Sequence, residues 1–146
     1  MMLKPQRPGI PLPVPTMVSA PFWEGCSAGE IRYQCCNDCD AITMNPSPAC
    51  SACFGPNLRW EASSGKGSVY SYTVVWRPQT PDFEVPYVPA IIEMEEGFPL
   101  MSSIVGCDVE EIEVAMLVEA VFVKMSDEIT LAYFVPEGRD LPDLAV

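Results

Sequence analysis

Apolar and polar positions alternate most clearly in the second half of this chain. The run Val69-Tyr-Ser-Tyr-Thr-Val-Val-Trp76 is dense in β-branched and aromatic residues and follows the turn-like Ser64-Gly-Lys-Gly67, which predicts a strand over 69–76. A second strand is predicted over 87–94, ended by Glu95-Glu-Gly97, and a third over 100–105. Residues 109–112 suit one helical turn. Residues 117–124 and 129–135 pair naturally as a hairpin across Met125-Ser-Asp-Glu128. Five short strands with a brief helical insert before the fourth predict a small closed barrel of the OB type over 61–136.

The first half reads differently. Prolines at 5, 8, 11, 13 and 15 predict an extended arm that can form neither helix nor central strand. Ser19 is placed to cap a short helix, with Pro21 in its first turn and Gly25 or Gly29 at its end. Phe22 and Trp23 are its apolar payload, to anchor the arm on this chain's own core or to dock on a partner. Residues 31–60 have little regular periodicity, as expected where a metal replaces a core. The tail over 137–146 is acidic and proline-bearing, and no internal repeat appears.

Composition narrows the reading. At 146 residues and 49% apolar, the chain is one ordinary domain or two small units packed together. Nothing in it resembles a targeting peptide, and no stretch approaches the roughly 18 apolar residues of a membrane helix. A cytoplasmic location is the expectation. The net charge is −12, and the acids gather beyond residue 80. A surface this acidic repels phosphate backbones, so nucleic acid is not the expected partner. There are 0 histidines. That removes the usual general base near neutral pH and leaves sulfur or carboxylate to hold any transition metal.

Seven cysteines stand at 26, 35, 36, 39, 50, 53 and 107. An odd count with two tight pairs is a poor disulfide framework and a good metal site. Cys36-Asn-Asp-Cys39 and Cys50-Ser-Ala-Cys53 are two Cys-x-x-Cys knuckles. Two intervening residues let both sulfurs of a knuckle point inward from one turn, and two facing knuckles complete a tetrahedron. Cys36, Cys39, Cys50 and Cys53 are therefore the expected ligands of one structural zinc ion. A single iron is the competing metal, and Cys35 offers a competing Cys-x3-Cys with Cys39. Cys26, Cys35 and Cys107 are expected to be inert apolar residues.

The order of these motifs goes further. Pro21-Phe-Trp-Glu, Gly29-Glu-Ile-Arg-Tyr-Gln-Cys-Cys-Asn-Asp-Cys39 and Pro48-Ala-Cys-Ser-Ala-Cys53 come first. Trp60, Gly65-Lys-Gly-Ser-Val-Tyr-Ser-Tyr-Thr-Val-Val75 and Pro86-Tyr-Val-Pro-Ala-Ile-Ile-Glu-Met-Glu-Glu-Gly97 follow, then Met116-Leu-Val-Glu-Ala-Val-Phe122 and Tyr133-Phe-Val-Pro136. This series resembles the DUF35 family over residues 20–136. The resemblance implies a mainly β chain: arm and short helix over 1–30, a rubredoxin-like zinc ribbon over 31–60, and a five-stranded OB barrel over 61–136. Asp40 stands where such a first knuckle usually has glycine. Cys35 stands where arginine is common, and Ala115-Met116-Leu117 replaces a common Gly-Met-Pro.

The resemblance also implies a role beside acyl-coenzyme A chemistry. The chain is then expected to be a non-catalytic partner of a thiolase-superfamily enzyme, a thiolase or a retro-aldolase of steroid side-chain or aromatic-compound breakdown. A two-plus-two (α2β2) assembly with a thiolase-like subunit is the natural stoichiometry. Phe22, Trp23 and Phe83 are candidate partner contacts, and the loop over 77–86 is placed to border a substrate channel. Lys66 and Arg77 are candidate contacts to coenzyme A phosphates. The alternatives are a stand-alone acyl-CoA-binding OB protein and a nucleic-acid-binding zinc-ribbon protein.

Overall fold

The structure, a computed structural model, describes residues 2–43 and 45–141. Residues 142–146, half of the predicted acidic tail, therefore lie outside the described residues.

Helix α1 spans Ala20–Ser27 with proline in its first turn, as the sequence predicts; Ser19 stands at its N-cap, but its hydroxyl accepts from Thr16 N–H and does not cap the helix. The fixed φ of proline suits that turn, where its missing N–H costs no hydrogen bond. Three strands follow: β1 (Arg32–Cys36), β2 (Ile42–Thr43) and β3 (Leu58–Ala62). They form an antiparallel sheet in the order β2-β1-β3. Little in the residue pattern signals this sheet. Its strands are short, and β3 runs two residues past Trp60, with Arg32 opposite Ala62.

The remaining strands are β4 (Lys66–Tyr72), β5 (Val88–Met94), β6 (Pro99–Ile104), β7 (Leu117–Lys124) and β8 (Thr130–Pro136). They close into a barrel in the order β4-β5-β6-β8-β7, with β4 also paired to β7. Every pairing is antiparallel except that of β6 with β8, which is parallel. A single 3₁₀ turn, Val109–Glu111, precedes β7. This is the expected OB barrel. Along β5 the inward residues Val88, Ala90, Ile92 and Met94 alternate with Pro89, Ile91 and Glu93, the period of two that a half-buried strand requires.

The first barrel strand differs from the sequence reading. It starts at Lys66 rather than Val69 and leaves the regular ladder after Tyr72. Two facts explain this. Gly67 lies so close to β5 that a Cβ there would stand 2.6 Å from the Glu93 carbonyl oxygen, so the glycine belongs to a tight strand crossing and not to a turn. Beyond Tyr72 the partner strand offers Pro89 and Pro86, which have no N–H to donate. Pairing survives there as single bonds, Thr73 N–H to Pro89 and a Val75–Tyr87 bridge.

One apolar core unites the parts. Phe134, Ile92 and Val118 from the barrel, Ile31 from the entrance to β1 and Leu3 from the arm all belong to it. The arm is held by Leu3 N–H to the Cys107 carbonyl and by Gly106 N–H to the Leu3 carbonyl. Gln6 then binds the long loop, its carboxamide donating to the Glu84 carbonyl and accepting from the Glu84 N–H. Ribbon and barrel are joined at Ser63 and Ser64, where the Glu96 carboxylate accepts from Ser63 Oγ at 2.6 Å and from Ser64 N–H at 2.7 Å.

Near the start of the tail, Arg139 donates to Glu111 at 2.7 Å, and Asp108 N–H donates to the same carboxylate at 2.7 Å. These contacts, Arg139 first, hold the Glu111 carboxyl down at about 2. A carboxyl whose folded value is depressed adds stability above its ordinary range and loses it as the pH falls toward that folded value. The expected result is that wild type loses more melting temperature between pH 5 and pH 3 than Glu111→Gln does. Equal losses measured by scanning calorimetry would remove this role.

Candidate metal centre

Each knuckle begins with a cysteine on or beside ordered structure. Cys36 is the last residue of β1, and Cys50 opens the second turn. The chain then folds back, so that Asp40 N–H reaches the Cys36 carbonyl at 3.0 Å and Phe54 N–H reaches the Cys50 carbonyl at 3.0 Å. The residue after each second cysteine is left-handed, Asp40 at φ 62° and Phe54 at φ 60°. Glycine is the easy occupant of such a position. Asp40 tolerates it better than most, whereas a bulky Phe there is an outlier.

The two turns bring the sulfurs of Cys36, Cys39, Cys50 and Cys53 within 4.8 Å of one another. Cys36 Sγ lies 3.6 Å from Cys53 Sγ, and Cys39 Sγ lies 3.6 Å from Cys50 Sγ. A tetrahedron with metal–sulfur bonds of about 2.3 Å has edges of about 3.8 Å, so these sulfurs are spaced for one tetrahedral ion. Backbone N–H groups point at them as well: Asp38 toward Cys36, and Ala52 and Cys53 toward Cys50. The N–H groups of Cys53 and Ala52 lower the Cys50 thiol to about 6. Such contacts favour thiolate, the form that binds metal.

Cys35 stays outside the cluster, with its thiol 3.6 Å from the Asp40 carbonyl. Cys26 and Cys107 are buried, and burial pushes both thiols up to about 11, which leaves them unreactive.

The other residues singled out in the sequence do not gather at this centre. Phe22 packs on the chain's own core and meets Trp23 edge to face at 5.0 Å. Phe83 stacks on Tyr87 at 5.9 Å. All three aromatics line one groove beside β6, and no ligand cysteine lines it with them. Lys66 Nζ lies 3.9 Å from Glu137, and Glu93 and Glu95 border the same hollow. Arg77 is exposed on the loop after β4 and does not converge with Lys66.

Sequence reasoning missed two buried polar residues that shape the ribbon. Gln34 clamps the segment before the second knuckle, donating to the Ser47 carbonyl and accepting from Ser47 N–H. Thr43 is 6% exposed, and its hydroxyl has no hydrogen-bond partner among the described residues. A buried hydroxyl left unpaired costs about 1–3 kcal/mol. Thr43→Val is therefore expected to raise the melting temperature by about 2–4 °C for each kcal/mol relieved. A variant that melts lower than wild type would show that the hydroxyl is used.

A four-cysteine ribbon joined to a closed five-stranded OB barrel defines the class of this protein. Comparison with known proteins makes it specific. The family profile described as "ChsH2, rubredoxin-like zinc ribbon domain" matches residues 23–59, and "ChsH2, C-terminal OB-fold domain" matches residues 60–123. The chain belongs to the DUF35 family. It is 37% identical over 95 residues to a DUF35 domain-containing scaffold protein of Methanocaldococcus jannaschii, covering 64% of this chain and 67% of that one. It is also similar to a probable enoyl-CoA hydratase alpha subunit of Thermomonospora curvata, at 34% identity over 79% of this chain and 36% of the relative. A third relative is the 3-oxo-4,17-pregnadiene-20-carboxyl-CoA hydratase alpha subunit of Mycobacterium tuberculosis, at 32% identity over 73% of this chain and 34% of the relative. The chain thus spans about a third of the length of the two hydratase subunits. Among solved structures, a chain of the Ltp2-ChsH2(DUF35) aldolase superposes with a TM-score of 0.79 at 32% identity, covering 86% of this chain and 98% of that one.

Proposed function

We propose that this chain is a non-catalytic partner subunit of a thiolase-superfamily acyl-CoA enzyme. The observation that carries the reading is its similarity, over 98% of the other chain, to a component of the Ltp2-ChsH2(DUF35) aldolase. Relatives that bear the words scaffold and alpha subunit support it. The chemistry of the chain agrees, because it offers 0 histidines to act as general base.

In this reading Cys36, Cys39, Cys50 and Cys53 hold one zinc ion. Four sulfur ligands leave no open position, so the metal's work is to fix the ribbon. The ribbon tip and the proline arm are the docking elements, where Phe54, Val14 and Met17 are 81%, 84% and 97% exposed. Exposed apolar side chains of this size suit a protein contact. The loop over 77–86 borders the partner's channel. Arg77, which has no ion-pair partner among the described residues, is the better of the two candidate phosphate contacts, since Lys66 is engaged by Glu137.

The test is co-expression with a thiolase-like subunit, followed by size-exclusion chromatography and zinc analysis. Co-elution as a two-plus-two complex with one zinc per copy of this chain is expected. A colourless preparation with a stoichiometric zinc signal excludes iron. Separate elution, with the other subunit fully active alone, would overturn the reading.

A further inference from the structure

Four of the seven cysteines gather at the metal centre, and they are not equivalent. Cys36 and Cys50 are buried, whereas Cys39 and Cys53 are exposed. Each exposed cysteine has its sulfur beside that of a buried one on the other knuckle. Cys53 Sγ lies 3.6 Å from Cys36 Sγ, and Cys39 Sγ lies 3.6 Å from Cys50 Sγ. Gly55 adds to the exposure of Cys53. A Cβ at that position would stand 3.3 Å from Cys53 Sγ, so any other side chain would cover the sulfur that glycine leaves open.

A thiol that holds a divalent metal does so as thiolate. The thiolate is also the form that attacks peroxides. Susceptibility to oxidation follows thiolate character and exposure, and reversible oxidation needs a second sulfur poised alongside. Cys39 and Cys53 meet all three conditions. The cysteines outside the cluster do not. Cys26 and Cys107 are buried, and Cys35, at 7% exposure, sets its thiol against the Asp40 carbonyl.

We propose that Cys39 and Cys53 are peroxide-reactive, and that their reversible oxidation joins the two knuckles by disulfides to Cys50 and Cys36 and gives up the metal. In the first step the Cys53 thiolate attacks one oxygen of hydrogen peroxide. An S–O bond forms, the O–O bond breaks and hydroxide leaves. The Cys36 thiolate then attacks the sulfenic sulfur of Cys53, so that the S–S bond forms and a second hydroxide leaves. Two thiolates have lost two electrons, the peroxide has gained them, and two protons from solvent turn the hydroxides into water. Cys39 and Cys50 react in the same way with a second peroxide. Each disulfide withdraws a pair of ligands, and the pair that remains cannot close a tetrahedral site. The cross-links keep the knuckles facing each other after the metal has gone, so a thiol reductant and fresh zinc can restore the starting state. The ribbon thereby becomes a reversible peroxide switch. This property belongs to the chain alone and does not depend on its being a subunit of anything.

The test treats the zinc-loaded full chain with hydrogen peroxide in the presence of a chromogenic zinc chelator. The product is then cleaved before Asp40, between the knuckles, and its disulfides are mapped by tandem mass spectrometry. Stoichiometric zinc release is expected, at least about tenfold faster than without peroxide, with Cys36–Cys53, Cys39–Cys50 or both as the new bonds. Dithiothreitol with added zinc should return the metal to the chain. Cys35→Ala is expected to release zinc as wild type does. Zinc held firmly while the same peroxide oxidises a free cysteine peptide in the same tube would overturn the proposal. So would pairing within a knuckle (Cys36 with Cys39, or Cys50 with Cys53), a disulfide to Cys35, or zinc loss with sulfinic acids and no disulfide. None of these outcomes depends on whether a thiolase-like subunit co-elutes, so the two readings fail separately.

Discussion

Cys39→Ser or Cys53→Ser is expected to abolish stoichiometric zinc and to unfold the ribbon while the barrel persists in part. Structural zinc sites with thiolate ligands contribute about 10–16 kcal/mol of apparent free energy near neutral pH, more than a ribbon this small can draw from packing. Its sheet has few buried side chains of its own: Gln34, Cys35 and Cys36 on β1, and Thr43 on β2. Without metal, the fold-back at Cys36 and the left-handed Asp40 rest on a few local hydrogen bonds, such as Asp40 N–H to the Cys36 carbonyl. The barrel has separate support in Val69, Ile92, Val118 and Phe134. Loss of zinc should therefore strip exchange protection from amides of β1 and β3 within minutes and leave those of β5 and β7 slow. The effect reaches the barrel where Ile31 is fully buried in its core, where Tyr33 stacks on Phe98 at 4.8 Å, and where Ser63 and Ser64 bind Glu96. Metal analysis and hydrogen exchange read both halves of the claim. Retention of one zinc per chain, or protection of the ribbon unchanged by the substitution, would sink it.

The parts of this fold that could be read from sequence are the parts decided locally. A Cys-x-x-Cys knuckle specifies its own turn, so the four clustered cysteines were legible from spacing alone. Cys36 over Cys35 followed from the same two-residue rule, and the geometry places Cys36 in the cluster. The alternation of Val88, Ala90, Ile92 and Met94 announces a strand with one buried face. Pro21 in the first turn announces α1. What stayed hidden depends on distant partners. Gly67 reads as a turn residue until the Glu93 carbonyl is seen against it. The ribbon sheet pairs Arg32 with Ala62, far on in the chain, and its strands owe their order to the metal turns between them. The groove is the extreme case. Its walls come from the arm, α1, the loop after β4, β6 and β8, and no periodicity in any one segment predicts that they meet.

Phe134→Ala is expected to destabilise the whole protein by about 3–5 kcal/mol, the usual cost of removing a fully buried Phe side chain. Phe134 is 0% exposed and lies at the seam where the barrel closes. Its partner across that seam is Ile104, the one parallel register pair joining β6 to β8. The Phe134 carbonyl also accepts from Val105 N–H at 2.8 Å. With so few backbone bonds at the closure, the ring supplies much of what holds β8 against β6, and a cavity there opens the barrel along its weakest line. At about 2–4 °C per kcal/mol the melting temperature should fall by roughly 6–20 °C. The neighbouring Tyr133→Phe provides the contrast. It removes only a hydroxyl that accepts from Gln6 N–H at 3.2 Å. The cost of that loss should stay near about 1 kcal/mol. The ratio between the two variants is the decisive quantity. If Phe134→Ala costs no more than Tyr133→Phe in urea unfolding, the seam is held by backbone pairing and not by the ring.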